Sequence, residues 1–196
     1  MKKLVGLTGK TGAGKSTVSE YFSKKGAYII DGDIVAREVL RADENLITRL
    51  CDAFGDILNE DGTLNRKKLA SLAFSSAENT EKLNSVMHPA INNLIKIRAE
   101  KAFENHDVVI VDAAAIIESG FADDCDVLVV VHAPFSVRKK RIIKRDSLSE
   151  KDALIRMNGQ KDDDFYLSRA DFVVRNYEPY NLENELSRLE KELFAF

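Results

Sequence analysis

The chain is 196 residues long, 44% apolar and 31% charged, with a formal net charge of −3. That length suits one α/β domain with room for an insert. The acidic balance argues against general affinity for nucleic acid or an anionic membrane surface, and no apolar run approaches the roughly twenty residues of a membrane span. Cys51 and Cys125 are too few for a disulfide scaffold and lack metal-ligand spacing, and the N-terminus carries no signal-peptide pattern, so a cytoplasmic protein is expected.

Lys3–Thr8 reads as a first strand, and directly behind it stands GKTGAGKS, Gly9 to Ser16. Glycines at Gly9, Gly12 and Gly14 let the backbone take φ > 0 and turn N–H groups around an anion. Lys15 adds a point charge for β- and γ-phosphates, and Ser16 offers a hydroxyl to Mg²⁺. A helix from about Ser16 to Lys25, stopped by Gly26, puts its positive end on the same phosphates. The spacing predicts a nucleoside triphosphate site.

Ala27–Asp31 is a short buried strand. Asp31 and Asp33 follow it; on a regular strand, residues two apart face the same side, and a turn at Gly32 would separate them. Either could accept the proton of an attacking hydroxyl, or serve as a cap before Ile34. From about Ile34 to Asn105 the spacing is helical (Leu46, Leu50, Phe54; Leu69, Leu72, Ala73; Ile91, Leu94, Ile95), with Gly55, the turn Asn59–Gly62 and Pro89 as dividers. A single crossover needs fewer residues, so this stretch is expected to be a helical insert that folds over the nucleotide and holds the second substrate.

Val108–Asp112 and Val127–His132 are continuous apolar runs suited to parallel strands covered on both faces. Asp112 ends its run as a Walker-B aspartate does, placed to hold Mg²⁺ directly or through water. A helix over Phe135–Arg145 carries six cations, with Arg138, Arg141 and Arg145 on one face. That face is either a phosphate clamp or solvated surface. Ser147–Asp164 is polar, with Ser149 and Asp152 as a capping box, and reads as a lid or an exposed loop. Phe172–Val174 is a fifth strand, and Asn181–Leu193 a last helix with Asn181 as N-cap.

These motifs together resemble the dephospho-coenzyme A kinase family, nearly end to end. The loop through Thr17 is followed by Ile30-Asp31-Gly32-Asp33-Ile34-Val35-Ala36-Arg37, then Phe54-Gly55 and Asp61-Gly62-Thr63-Leu64-Asn65-Arg66. Leu83 to Ile91 contains the His88-Pro89 pair, and Lys140-Arg141 with Arg145-Asp146 matches the family's basic pattern. Arg156, Gln160, Ala170-Asp171 and Asn176 fit its C-terminal part. One departure is Asp112-Ala113-Ala114-Ala115-Ile116-Ile117-Glu118, where the family usually has a proline and a leucine pair between the two acids. Gly32 between the aspartates and the segment Asp162–Tyr166 are further departures, which put the acceptor pocket's shape in question but not the phosphate chemistry.

The resemblance implies a three-layer α/β P-loop NTPase fold with a five-stranded, mostly parallel sheet. Its core covers about 1–33, 106–146 and 168–196, the acceptor-binding insert about 34–105, and the lid about 147–167. It implies ATP-dependent phosphorylation of the ribose 3′-hydroxyl of dephospho-coenzyme A, with Mg²⁺. In this reading Asp33 is the base and Asp31 a support; Lys15 and Arg141 stabilise the transferring group. Gly9, Thr11, Gly12, Ala13, Gly14, Lys15, Ser16, Thr17 and Arg145 bind ATP; Asp33, His88 and Arg141 bind the acceptor; Ser16 and Asp112 face the metal. A nucleoside monophosphate kinase is the related alternative. A GTP-binding switch is disfavoured because no Asn-Lys-x-Asp element stands on a late strand. His106 and His132 match no motif.

Overall fold

A computed structural model describes residues 2–194. These form two compact units, one of residues up to Asp31 together with those from Ala99 onward, the other Gly32–Arg98.

The first unit is built on a five-stranded sheet of β1 (Lys3–Thr8), β2 (Tyr28–Asp31), β3 (Val108–Asp112), β4 (Val127–His132) and β5 (Phe172–Arg175). Its order is β2-β3-β1-β4-β5 and every neighbouring pair is parallel, so the sheet is wholly parallel. The apolar runs follow from this: both faces are covered, and the first four residues of β3 are all buried. Val5, Leu7, Val108, Ile110, Val129 and Val131 form one face, packed by Val18 and Phe22 of α1 (Lys15–Lys24) and by Leu186, Leu189 and Leu193 of α9 (Leu182–Leu193). Asn181 caps α9 by accepting from the Asn184 amide at 3.0 Å.

Parallel strands bring their carboxyl ends to one edge of the sheet. Asp31 and Asp112 are register partners there, and Leu7 pairs with Asp112 on the other side. Turns and helices at this edge therefore share one crevice, where open α/β sheets bind ligands. Beyond β4 the unit continues as α6 (Phe135–Asp146), α7 (Glu150–Asn158) and the five-residue α8 (Asp163–Leu167). Ser149 caps α7 through the Asp152 amide, while its hydroxyl donates to the Asp152 carboxylate at 2.6 Å.

The second unit is helical: α2 (Gly32–Ala42), α3 (Glu44–Phe54), α4 (Arg66–Ala73) and most of α5 (Ala77–Ala102). Asp43 and Asn65 cap α3 and α4 through the amides of Leu46 and Lys68. Leu46, Leu50, Ile57, Leu69 and Ala73 are buried, and Glu38 pairs with Arg98. Two expectations change here. Pro89 does not divide this region; α5 runs through it, leaving the Ser85 carbonyl without the usual i+4 amide donor. Asp31 and Asp33 do not share a strand either, because β2 ends at Asp31 and α2 begins at Gly32, which places Asp33 in the first helical turn. Among the described residues, no helix is long and apolar enough to cross a membrane.

Phe22 is 1% exposed between the sheet and α9. Phe22→Ala is expected to cost about 3–5 kcal/mol of unfolding free energy through the cavity it leaves, measured by urea denaturation.

Candidate active site

Between Thr8 and Lys15 the backbone wraps back on itself. Gly9 has φ 148° and Gly14 φ 102°, conformations costly for a residue with a Cβ. A Cβ on Gly9 would lie 2.3 Å from the Val131 carbonyl oxygen, and one on Gly14 2.2 Å from Asn176 Nδ2, so both positions need glycine for space as well as for torsion. Gly14 is the N-cap of α1 and no side chain caps that end. The first amides of the helix are thereby left for an anion. Lys15 opens α1, and the exposed Ser16 and Thr17 follow it.

A loop that aims N–H groups inward aims carbonyls outward, and these are met by side chains. Arg141 Nη1 donates to the oxygens of Ala13 at 3.2 Å and Gly12 at 3.4 Å, while Nη2 donates to Asn176 O at 2.8 Å. Asn176 Nδ2 donates to Ala13 O at 2.8 Å. Arg138, only 2% exposed, donates from Nε to Ala133 O at 2.9 Å and from Nη1 to Thr11 O at 3.5 Å. Burial lowers the Arg138 pKa while Asp163 opposes that shift.

The six-cation helix is thus neither a uniform clamp nor a solvated face. Arg138 is internal, Arg141 braces the loop, Lys139 pairs with Glu150 at 2.6 Å, and Arg145 makes a two-point contact with Asp146. Asp146 also accepts from Arg156 at 2.7 Å, and its carboxyl is held below the usual carboxylate range, chiefly by Arg145. The placement of Arg138 had a sequence signal: it lies four residues before Ile142, itself fully buried, on the inward stripe of α6.

The polar stretch after α6 meets the loop directly. The Thr11 amide donates to Gln160 Oε1 at 2.9 Å, and Lys10 Nζ lies 3.0 Å from Asp163 Oδ1. That oxygen is shielded from solvent, and the Lys10 and Arg138 charges, 3.0 and 4.0 Å away, compensate it. Tyr166 donates to Glu118 at 3.2 Å.

At the strand edge, Asp112 Oδ1 lies 3.9 Å from Lys15 Nζ, and Oδ2 accepts from the Ser19 hydroxyl at 2.5 Å. The groups expected on the metal side are one hydroxyl, Ser16, and one carboxylate, Asp112, and no group of three or more His, Cys, Asp or Glu side chains that could hold a metal exists among the described residues. Such a set fits Mg²⁺, which keeps several waters and takes the rest of its ligands from substrate phosphates.

Asp33 stands exposed in the first turn of α2 and His88 half-buried in α5, both in the second unit. Burial lowers the His88 pKa, favouring the neutral ring. His132 ends β4 with its ring 5.7 Å from Tyr177, and His106 contacts the Gly26 carbonyl at 3.1 Å. Burial, with Asp124, Asp126 and Asp123, pushes the Cys125 thiol up to about 12, so it is protonated and inert at neutral pH. In the departing segment, Ile116 is buried and the Ala114 carbonyl accepts from Thr8 Oγ1 at 3.1 Å. Sequence reading missed Ser19 and the loop-bracing role of Asn176 and Arg138.

Comparison with known proteins converges on one family. The sequence profile described as dephospho-CoA kinase matches residues 3–181. A dephospho-CoA kinase from Corynebacterium jeikeium is 41% identical over 88% of this chain and 89% of its own length. One from Listeria innocua is 36% identical over 100% of this chain and 96% of its own. The solved dephospho-CoA kinase from Campylobacter jejuni superposes with a TM-score of 0.69 at 27% identity, covering 100% of this chain and 98% of its own.

The Arg141 fork spans Ala13 O and Asn176 O, a reach that a single ammonium lacks. Arg141→Lys is expected to weaken nucleotide binding about ten-fold, the value of one charged hydrogen bond. Lys139→Ala, which loses only an exposed pair, should leave it unchanged. Equal, small effects in a calorimetric titration would mean that the Arg141 brace does not influence the nucleotide.

Burial of His88 also carries a pH dependence. Its folded pKa is depressed below the ordinary value of 6.5, so the unfolded chain takes up the proton first. Stability is therefore expected to fall as pH drops below about 6.5, and His88→Gln should flatten that fall in thermal melts. An unchanged slope would mean the ring is not desolvated.

Proposed function

The chain belongs to the dephospho-CoA kinase family and phosphorylates dephospho-coenzyme A with ATP in coenzyme A synthesis, and we propose the following division of labour among its residues. The observation that supports it is the Gly9–Ser16 cradle, with its uncapped helix end at Gly14 and with Lys15 lying 3.9 Å from Asp112.

The loop amides and Lys15 bind the β- and γ-phosphates, with Thr11, Gly12, Ala13 and Thr17 completing the ATP cradle. Asp33 accepts the proton of the ribose 3′-hydroxyl as that oxygen attacks the γ-phosphorus, and the bond to the β-γ bridging oxygen breaks to release ADP. Asp31 supports this end of β2. His88 contacts the acceptor as a neutral donor or acceptor. Arg145, exposed at the end of α6, exchanges Asp146 for the nucleotide, and Arg141 contributes charge near the transferring group while bracing the loop.

The enzyme uses a divalent metal, and we assign Mg²⁺ to Ser16, Asp112 and the phosphates. When bound it neutralises charge on the β- and γ-oxygens. Phosphoryl transfer leaves the protein little covalent work, so most of the rate comes from positioning and fixed charge. In domain terms, residues 34–105 hold the acceptor, 147–167 form a lid, and the remainder is the nucleotide core.

ADP formation measured with dephospho-coenzyme A, AMP, CMP or no acceptor tests the reading; turnover is expected with the first alone, and preference for AMP or CMP would overturn it. Lys15→Ala should lower turnover at least ~100-fold with the fold intact. Asp33→Asn should lower kcat by ~10²–10⁴-fold with little change in ATP affinity. Should Asp31→Asn abolish turnover while Asp33→Asn retains most of it, the two roles are reversed.

A further inference from the structure

Ser19 lies one helical turn beyond Lys15 on α1 and is 8% exposed, beside Val18 and Phe22 of the buried core on the same helix. A buried hydroxyl must find a partner. The ordinary one is the carbonyl four residues back in the helix, and Lys15 O is indeed 3.2 Å away. The shorter contact is to Asp112 Oδ2, at 2.5 Å. A hydroxyl has one proton, and an ionised carboxylate is the stronger acceptor. Ser19 therefore spends its proton on an acid ninety-three positions away in the chain, not on its own helix.

This contact fixes one oxygen of Asp112 and leaves the other 3.9 Å from Lys15 Nζ, near the phosphate cation but short of a direct hydrogen-bonded pair. The terminal torsion of an aspartate is broad and roughly two-fold. Loss of the Ser19 hydroxyl removes the hydrogen bond that holds Oδ2, and any turn of the carboxylate toward the ammonium would draw Lys15 away from phosphate and misorient the acid on the metal's side of the site.

We propose that Ser19 is a positioning residue, holding Asp112 in the orientation that serves metal-bound ATP; this rests on the reading of Asp112 as the metal-side acid. Partners that orient the groups around a metal typically matter 10–100-fold for its affinity.

The test is calorimetric ATP binding to the intact chain, with Mg²⁺ and with EDTA. The readout is the gain in affinity that Mg²⁺ confers. Ser19→Ala is expected to cut that gain about ten-fold while metal-free affinity and melting temperature stay near wild type. Ser19→Thr keeps the hydroxyl and should restore it. Asp112→Asn is the reference and should abolish the gain. If Asp112→Asn lowers the gain and Ser19→Ala does not, the Ser19 inference fails and the Asp112 reading survives. An unchanged gain in Asp112→Asn removes both. Equal losses with and without Mg²⁺ in Ser19→Ala, or a loss in Ser19→Thr as large as in Ser19→Ala, assign the effect to packing of α1 and overturn the proposal.

Discussion

A phosphate loop must satisfy two sets of backbone groups at once. Its N–H groups converge on an anion, so its carbonyls point the opposite way, into protein, where each unpaired one is costly. Here the oxygens of Thr11, Gly12 and Ala13 are received by Arg138, Arg141 and Asn176. Those three side chains come from α6 and from the residue that follows β5. The loop's shape consequently depends on α6 lying directly against it, and the close approach of Gly12 to the Arg138 carbonyl, 2.8 Å from a built Cβ, reflects the same constraint. Cations suit this task because they are pure donors and cannot compete for the inward N–H groups.

The strand edge imposes the second constraint. Parallel pairing puts Asp31 beside Asp112 in register, and like charges on neighbouring strands repel. Opposing charge is close at hand: Lys15 faces Asp112, and the positive end of α1 is aimed at the same crevice. The charges along this edge therefore alternate, and a small displacement of one carboxylate changes the field around Lys15 and the start of α1.

The sheet was legible because fully buried parallel strands write themselves as unbroken apolar runs, as Val108–Val111 and Val127–Val131 do. The loop was legible because its glycine and lysine positions are fixed by backbone geometry. Pro89 misled, since a proline punctuates a helix only when flanking packing does not carry the chain onward, and α5 continues for more than a turn on each side. Asp31 and Asp33 were ambiguous for a comparable reason: whether Gly32 extends a strand or opens a helix is decided by tertiary context, not by its own torsional freedom. The contacts of Arg138 and Arg141 with the loop and of Ser19 with Asp112 were invisible because they join residues ninety or more positions apart, and no local spacing encodes them. The resemblance named the family and its acids, but nothing in a motif says which arginine faces a backbone oxygen.

That distinction separates arginines able to change partners from those that are not. Arg145 is 58% exposed and bonded to its neighbour Asp146, and an exposed pair is worth at most about 1 kcal/mol. Exchanging that carboxylate for a phosphate therefore costs little and gains charge. Arg138 is 2% exposed, with carbonyls as its hydrogen-bond acceptors. Pulling it out would leave those oxygens unpaired and the loop unsupported. The same residue type on the same helix thus sits in opposite settings, and burial, not charge, decides which arginine can exchange its partner and which one keeps the loop in shape.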